Sequence, residues 1–501
     1  VNQKDLMTNA RTLTSTITVA EPAAPIEINR DIYGQYFEHV EDCVYPGLMD
    51  DDGLREDVIA AAAELQVPVV RWPGGCFADC YHWEEGVGPL ERRPVRPNWH
   101  WGGGQLESHQ FGTHEFLNWC ERVGAASYIN VNMGTGTMIE ALRWLDYTTG
   151  SQPTSDVLER MRNGRHDPWP VAYWGLGNET WGAWEAGRMT AAKYADTLDS
   201  WARFFRRYQP DVRLVGVGSS GATDPDWDST VLDVAGSSID LLSLHLYGSR
   251  VDRDGHPAAS SEARRAVMLA PLHFEAQIEA MGQLVRKHNL TASRVVGIAI
   301  DEWNIRHYRQ EADDTFRLDR TAPRTGSDAI FVAGVFHAML RAADVVTMAN
   351  YVFLVNGNAV LDARHGTVMR SALFPIFRTY RERLTGTRMD VQIDAPEVEV
   401  PDLHSRNPSV RVDPSSVPRQ VPALDAVATR NTDGVLQIAI LNRSEQTLSA
   451  TLDVPAGTIT MAESYRSPLG TDALEHETRV ATSVGDLHLP AASCTFITVA
   501  H

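Results

Sequence analysis

"VAYWGLGNETWGAW", residues 171–184, begins as a β-branched and aromatic run and ends in a polar, glycine-punctuated turn. Its opening residues predict a strand, and Asn178 and Glu179 fall where that strand stops. Three tryptophans, Trp174, Trp181 and Trp184, stand near Glu179 in sequence. A carboxyl hemmed in by indoles can stay protonated near neutral pH, which would suit a general acid. A loop carboxylate hydrogen-bonded to neighbouring amides would have the same local sequence. The pattern of this stretch, an apolar run with polar groups at its carboxyl end, recurs along the chain.

Eight runs are candidate strands, and nearly every one shares the pattern: "DIYGQYFE" (31–38), "VPVVRW" (67–72), "ASYINVNMG" (126–134), "VAYWGLGN" (171–178), "VRLVGVGS" (212–219), "IDLLSLHLY" (239–247), "RVVGIAIDEW" (294–303) and "VVTMANYVFLV" (345–355). Amphipathic helical stretches lie between them, among them "LREDVIAAAAELQ" (54–66), "TAAKYADTLDSWARFFRRY" (190–208) and "ARRAVMLAPLHFEAQIEAMGQLVRKH" (263–288). Alternating strands and helices predict parallel strands with crossover helices, and eight units predict a closed (β/α)8 TIM barrel over residues 31–385. An open doubly wound sheet is the alternative. Glu38, Arg71, Asn132, Asn178, Glu179, His245, Tyr247, Asp301 and Glu302 all fall at carboxyl ends of these runs. A barrel gathers those ends into one mouth, where sites in this fold are built.

Beyond residue 385 the character changes. Residues 386–501 alternate in short runs such as "GVLQIAILNRS" and "TLSATLDV", which predict an antiparallel β-sandwich. An irregular proline-rich excursion is expected at 394–420. "TLTSTITVA" (12–20) has the same alternation, so residues 1–30 are expected to add a strand to the sandwich.

The 501 residues include 65 acidic and 45 basic side chains, a formal net charge of -20. That balance disfavours nucleic acid and anionic membranes, which need basic surface. The first residues lack the apolar core of a signal peptide, and no run is long and apolar enough to span a bilayer, so a cytoplasmic location is expected. Five cysteines in so large a chain read as reduced thiols, and Cys76 and Cys80 lack the partners of a zinc site. Neither metal nor cofactor is expected.

"IAIDEWNIRHY" supplies a second strand-end carboxylate, Glu302, on the seventh run where Glu179 ends the fourth. Glycosidic bonds are cleaved by two such groups flanking the anomeric carbon: one protonates the leaving oxygen, the other attacks or activates water. Two unrelated structural carboxylates are the bland alternative.

"YGQYFEH", "RWPGGCFADCYHWEEGVGP", "HWGG", "FGTHEF", "WGLGNETWG", "LSLHLY", "DEWN" and "MANYVFLVN" together resemble the ordered signature set of glycoside hydrolase family 51, the α-L-arabinofuranosidases, over about residues 31–360. The resemblance implies a retaining (β/α)8 enzyme with its acid/base on strand four, its nucleophile on strand seven and a C-terminal β-sandwich. It implies exo-acting release of terminal non-reducing α-L-arabinofuranose from oligosaccharides or conjugates, without a cofactor, by a homo-oligomer such as a hexamer. Glu179 then resembles the acid/base and Glu302 the nucleophile. Asn178 would bind the sugar 2-hydroxyl, and Glu38 would accept from ring hydroxyls. Arg71 would hold a carboxylate ionised through a bidentate contact, while His245 and Tyr247, on one strand face, would orient the nucleophile. His100 and Trp101 would close over the sugar, and Cys76 would form pocket wall.

The chain departs from the family pattern at two positions. Phe353 stands for a usual Gln that hydrogen-bonds the furanose, and Arg306 stands where an aromatic usually follows. The segment after "GNETWG" also lacks the usual glycine-rich continuation. A related β-D-galactofuranosidase or β-xylosidase, or a catalytically silent carbohydrate-binding protein, are the alternatives these departures keep open.

Overall fold

The computed structural model describes residues 14–101, 105–219, 224–252, 261–311, 313, 315–401, 417–455, 457–479 and 487–500. Eight parallel strands close into a barrel: β1 (Gly34–Tyr36), β2 (Val69–Trp72), β3 (Ala126–Val131), β4 (Val171–Leu176), β5 (Leu214–Gly216), β6 (Leu241–Asp252), β7 (Gly297–Gln310) and β8 (Val346–Tyr351). Each pairs with the next, and the ring closes through Asn350↔Gly34 and Tyr351↔Gln35. The open doubly wound alternative is thereby excluded.

The strands are buried on both faces, which is why they read as nearly continuous apolar runs. One face points into the barrel, where Val69, Tyr128, Tyr173, Val215, Leu241, Ala299 and Met348 pack together. The other face meets the helices. Ala191–Tyr208 follows β4, begins where the Thr190 side chain accepts from the Lys193 amide, and buries Tyr194, Leu198, Ala202 and Phe205. The long stretch at 263–288 is two helices, Ser261–Leu269 and Pro271–Asn289, because Pro271 has no amide hydrogen and starts a new first turn.

β6 and β7 run well past the ends expected from sequence. They remain paired out to Asp252↔Arg309, and Phe316–Leu318 adds to β7 antiparallel. This arm rises beyond the mouth and carries Tyr247, Asn304 and Arg306 with it.

Among the described residues, eleven further strands form two packed sheets. One has the order Asp390–Asp394, Thr14–Ala20, Leu448–Asp453, Leu487–Leu489; the other runs from Glu27–Ile28 through Gly386–Arg388, Leu424–Arg430, Leu436–Asn442, Ser493–Ala500 and Thr458–Arg466 to Glu475–Arg479. Ile17, Val19, Ile438, Leu452 and Ile497 lie in the core between them. The sheets are antiparallel except that Thr14–Ala20 runs parallel to Leu448–Asp453. A strand arriving from a remote part of the chain is not held to a hairpin's direction. Within the proline-rich stretch, Glu397–Glu399 pairs with Gln420–Pro422, so its two ends form a ribbon; residues 402–416 lie outside the described residues, as do residues 1–13. The barrel helix Gly326–Arg341 is tied to the sandwich by His337 and Arg341, which meet Asp425 at 3.0 and 2.8 Å.

Candidate active site

β4 ends in a turn that needs two left-handed residues, Gly177 (φ 92°) and Glu179 (φ 37°). Glycine takes that conformation freely, whereas a glutamate held there costs on the order of 1–3 kcal/mol and persists only when its surroundings over-determine it. The Glu179 carbonyl accepts from the Gly182 amide at 2.6 Å. Its Oε2 accepts from Trp184 Nε1 at 2.9 Å, and its Oε1 lies 2.8 Å from His245 Nδ1. Of the three indoles, Trp184 alone bonds the carboxyl. Trp174 packs against Trp144 and Phe205 in the helix layer, and Trp181 donates to the Gly218 carbonyl.

Glu302 stands on β7 opposite. Its Oε1 accepts from Arg71 Nη1 at 2.8 Å, and its Oε2 accepts from the Tyr247 hydroxyl at 2.6 Å. Arg71 does not grip one carboxylate with both nitrogens, as the sequence reading expected. Nη1 goes to Glu302 and Nη2 to Asn178 Oδ1 at 2.9 Å, because β2 places the guanidinium between the ends of β4 and β7. Oxygens of Glu179 and Glu302 lie within 4.8 Å of each other, with His245 between them.

His245 is ringed by carboxylates. Nδ1 faces Glu179 and, at 3.5 Å, Glu302, while Nε2 lies 3.2 Å from Asp301. Burial alone would lower its pKa, but Glu302, Asp301 and Glu179 push it up to about 10. Asp301 is the reverse case. Burial would raise it, but Arg71, His245 and the Ser243 hydroxyl at 2.6 Å hold it well below the usual carboxylate range. For Glu179, burial pushes upward and is outweighed by the His245 bond and charge, with Trp184 and Arg306 adding to the downward side. The expectation of an indole-protected, protonated Glu179 is therefore corrected. The pull of His245 holds the Glu179 carboxyl below the usual carboxylate range, and the three carboxylates around His245 favour its charged form.

Glu38 accepts from the Phe77 amide at 2.9 Å, Tyr36 at 3.1 Å and Trp101 Nε1 at 3.3 Å, and burial together with the Glu302 charge pushes it up to about 7. Trp101 and Phe353 line the same cavity as Glu38, Cys76, Tyr247 and Glu302, and the Phe353 ring packs on Tyr36 with centroids 5.5 Å apart. His100 meets the edge of Trp101, and burial lowers its pKa. Gly102 and Gly103 of "HWGG" lie outside the described residues. The Cys76 thiol is raised far above its ordinary range by burial, then by the charges of Glu185, Glu179, Glu38 and Glu302, so it remains a neutral wall. Asn132 does not join the site. Its Oδ1 accepts from the amides of Gly134, Thr135 and Gly136 and so shapes a turn.

The structure adds residues that the sequence reading did not place here. Glu185 Oε1 accepts from Asn178 Nδ2 at 3.2 Å, so the Asn178 amide is held at both ends, by Arg71 and by Glu185. Burial, the Asp79 charge and the Glu179 charge push Glu185 up to about 10, and Asp79 is hydrogen-bonded to it. Among the described residues two donor sets, Cys76 with His100 and Glu185, and Glu179 with His245 and Glu302, are close enough to hold a cation, but the second is already bonded within itself.

Two family models match the chain: the "Alpha-L-arabinofuranosidase 1 domain" over residues 61–265 and the "Alpha-L-arabinofuranosidase C-terminal domain" over residues 301–486. The chain is 33% identical over 463 residues to α-L-arabinofuranosidase C of Emericella nidulans, covering 87% of this chain and 86% of the relative. It is 32% identical over 449 residues to an intracellular exo-α-L-arabinofuranosidase of Bacteroides ovatus, covering 85% and 81%. Among solved structures it is similar to the thermostable GH51 α-L-arabinofuranosidase of Thermotoga petrophila, with a TM-score of 0.80 and 28% identity over 97% of this chain and 100% of that one.

Proposed function

The chain belongs to glycoside hydrolase family 51 and is an α-L-arabinofuranosidase, and from that premise we propose a retaining, exo-acting enzyme that removes terminal α-L-arabinofuranosyl residues by double displacement. The observation that carries the mechanism is the approach of the Glu179 and Glu302 oxygens to within 4.8 Å. Retaining pairs stand about 5–5.5 Å apart, whereas inverting pairs leave roughly 6.5–9.5 Å for a water.

In the first step Glu302 attacks C1 while the bond from C1 to the glycosidic oxygen breaks and that oxygen takes a proton from Glu179. The proton originates on His245 Nδ1, 2.8 Å from Glu179 Oε1, and moves to the carboxyl as the leaving oxygen approaches. Donation from Arg71 and Tyr247 fixes the two Glu302 oxygens for attack and stabilises the carboxylate as it departs afterwards. In the second step Glu179 takes a proton from water, the water oxygen bonds C1, and the C1–Glu302 bond breaks. Asn178, clamped by Arg71 and Glu185, offers its amide to the 2-hydroxyl, where hydrogen bonds tighten in the transition state. Glu38, with Trp101 against it, takes the ring hydroxyls; His100 covers the sugar and Cys76 walls it.

The substrate is a small oligosaccharide or glycoside rather than nucleic acid or membrane, in keeping with the net charge of -20. Five free cysteines favour a cytoplasmic enzyme, as does the relative named intracellular. Among the described residues no helix is long and apolar enough to cross a membrane. A homo-oligomer is the assembly we infer from family membership. A panel of nitrophenyl glycosides tests the specificity: kcat/KM is expected to be highest on the α-L-arabinofuranoside, and a higher value on the β-D-galactofuranoside or β-D-xyloside would overturn it.

A further inference from the structure

Arg306 lines the cavity beside Glu302 and Phe353. It lies two residues beyond Asn304 and four beyond Glu302 on β7, so all three share one face of the strand. Its guanidinium carbon sits 3.6 Å from the centre of the Tyr247 ring, the same tyrosine whose hydroxyl holds Glu302. Stacking of this kind fixes the plane of the guanidinium but satisfies none of its five N–H groups.

Among the described residues those N–H groups donate no hydrogen bond and enter no ion pair; Arg306 feels Glu179 and Glu302 only through their charge. Its neighbours in the cavity are all engaged. Arg320 pairs with Glu41 at 2.7 Å, Asn304 Oδ1 accepts from Tyr351 and Arg324, and the Asn358 amide donates to the Ala322 carbonyl. The adjoining wall is Val352 and Phe353, which bring no side-chain acceptor. Arg306 is only partly buried and none of its nitrogens is sealed from solvent, so these donors face the cavity, where acceptor oxygens of a bound ligand can take the place of water.

We propose that Arg306 is a specificity-determining residue that donates to the exocyclic C5 oxygen of the furanose, an inference that rests on the arabinofuranosidase reading above. The barrel order sets the direction. Asn178 ends β4, and in a closed ring of eight strands β4 lies across from β8, which leads into Phe353, with β7 and Arg306 next to it. A furanose with C1 at Glu302 and its 2-hydroxyl at Asn178 therefore turns C4 and its hydroxymethyl group toward Arg306 and Phe353. The phenyl ring packs the methylene, and the guanidinium takes the oxygen.

The test is a substrate–residue cycle using 4-nitrophenyl α-L-arabinofuranoside and its 5-deoxy analogue with wild type, Arg306→Met and Arg306→Lys. Removing the oxygen is expected to lower wild-type kcat/KM by about 10- to 100-fold, but that of Arg306→Met by less than about threefold, with Arg306→Lys between them. Equal losses in wild type and Arg306→Met overturn the proposal. So does a wild type that cleaves both glycosides equally well, a result that needs no variant to fold. A wild type inactive on the parent glycoside overturns the activity assignment, and this inference with it; an active but indifferent wild type overturns this inference alone.

Discussion

His245 Nδ1 lies 2.8 Å from Glu179 Oε1, a contact that raises the imidazole's pKa and lowers the carboxyl's. Such a pair titrates as a unit, and its loss of a proton governs the basic limb of kcat/KM. Replacing His245 with Gln leaves Glu179 to hold the proton alone. The basic limb is expected to move down by more than about one pH unit in His245→Gln, read from kcat/KM profiles on an aryl arabinofuranoside. An unmoved limb would mean that the imidazole stores no proton for the reaction.

The same shift couples folding to pH. His245 rises from 6.5 to about 10 on folding, so its charged form stabilises the protein fully below 6.5, and that contribution is lost as pH rises through about 10. Between pH 7 and 10, Tm is expected to fall more steeply for wild type than for His245→Gln. Parallel curves would contradict the cationic assignment.

Glu302→Ala is expected to abolish turnover on every glycoside, since no glycosyl-enzyme forms. Glu179→Ala should lose most on poor leaving groups and spare activated aryl glycosides in the first step, with azide releasing the intermediate as a glycosyl azide of retained configuration. An inverted azide from Glu179→Ala would reverse the two roles.

Glu185 is pushed up to about 10, so at neutral pH it is a carboxylic acid bonded to Asp79 while accepting from Asn178. An amide reproduces both contacts. Glu185→Gln is expected to keep kcat within about threefold, and Glu185→Ala to lose about tenfold or more because Asn178 is freed at one end. A Gln variant as impaired as the Ala variant would show that the carboxyl must ionise.

Phe353 faces the cavity rather than the barrel core. A substrate hydroxyl turned toward the phenyl ring lacks a partner, at a cost of about 1–3 kcal/mol, whereas carbon loses nothing. Phe353→Gln is therefore expected to change the ratio of kcat/KM for nitrophenyl α-L-arabinofuranoside over β-D-galactofuranoside. A ratio constant within about twofold would remove this position from specificity.

The barrel was legible because six of the eight strand runs end in chemistry-bearing side chains, and Glu179 and Glu302 were legible for the same reason. The protonation of Glu179 was not, because the group that decides it, His245, comes from β6 and lies far away in sequence. Glu185 sits in an irregular loop with no period to mark its direction. The Arg306–Tyr247 contact depends on β6 and β7 pairing past the barrel rim, a tertiary feature that local alternation does not encode. Arg71 was recognised as a carboxylate partner, but its division between Glu302 and Asn178 needed the relative heights of three strands.

Double displacement through Glu302 makes one direct demand on the product. With methanol as acceptor and 4-nitrophenyl α-L-arabinofuranoside as donor, proton NMR of the first-formed glycoside should show methyl α-L-arabinofuranoside, the retained anomer. The β-anomer as first product would mean that a single displacement operates across the Glu179–Glu302 gap, and the mechanism proposed here would be wrong.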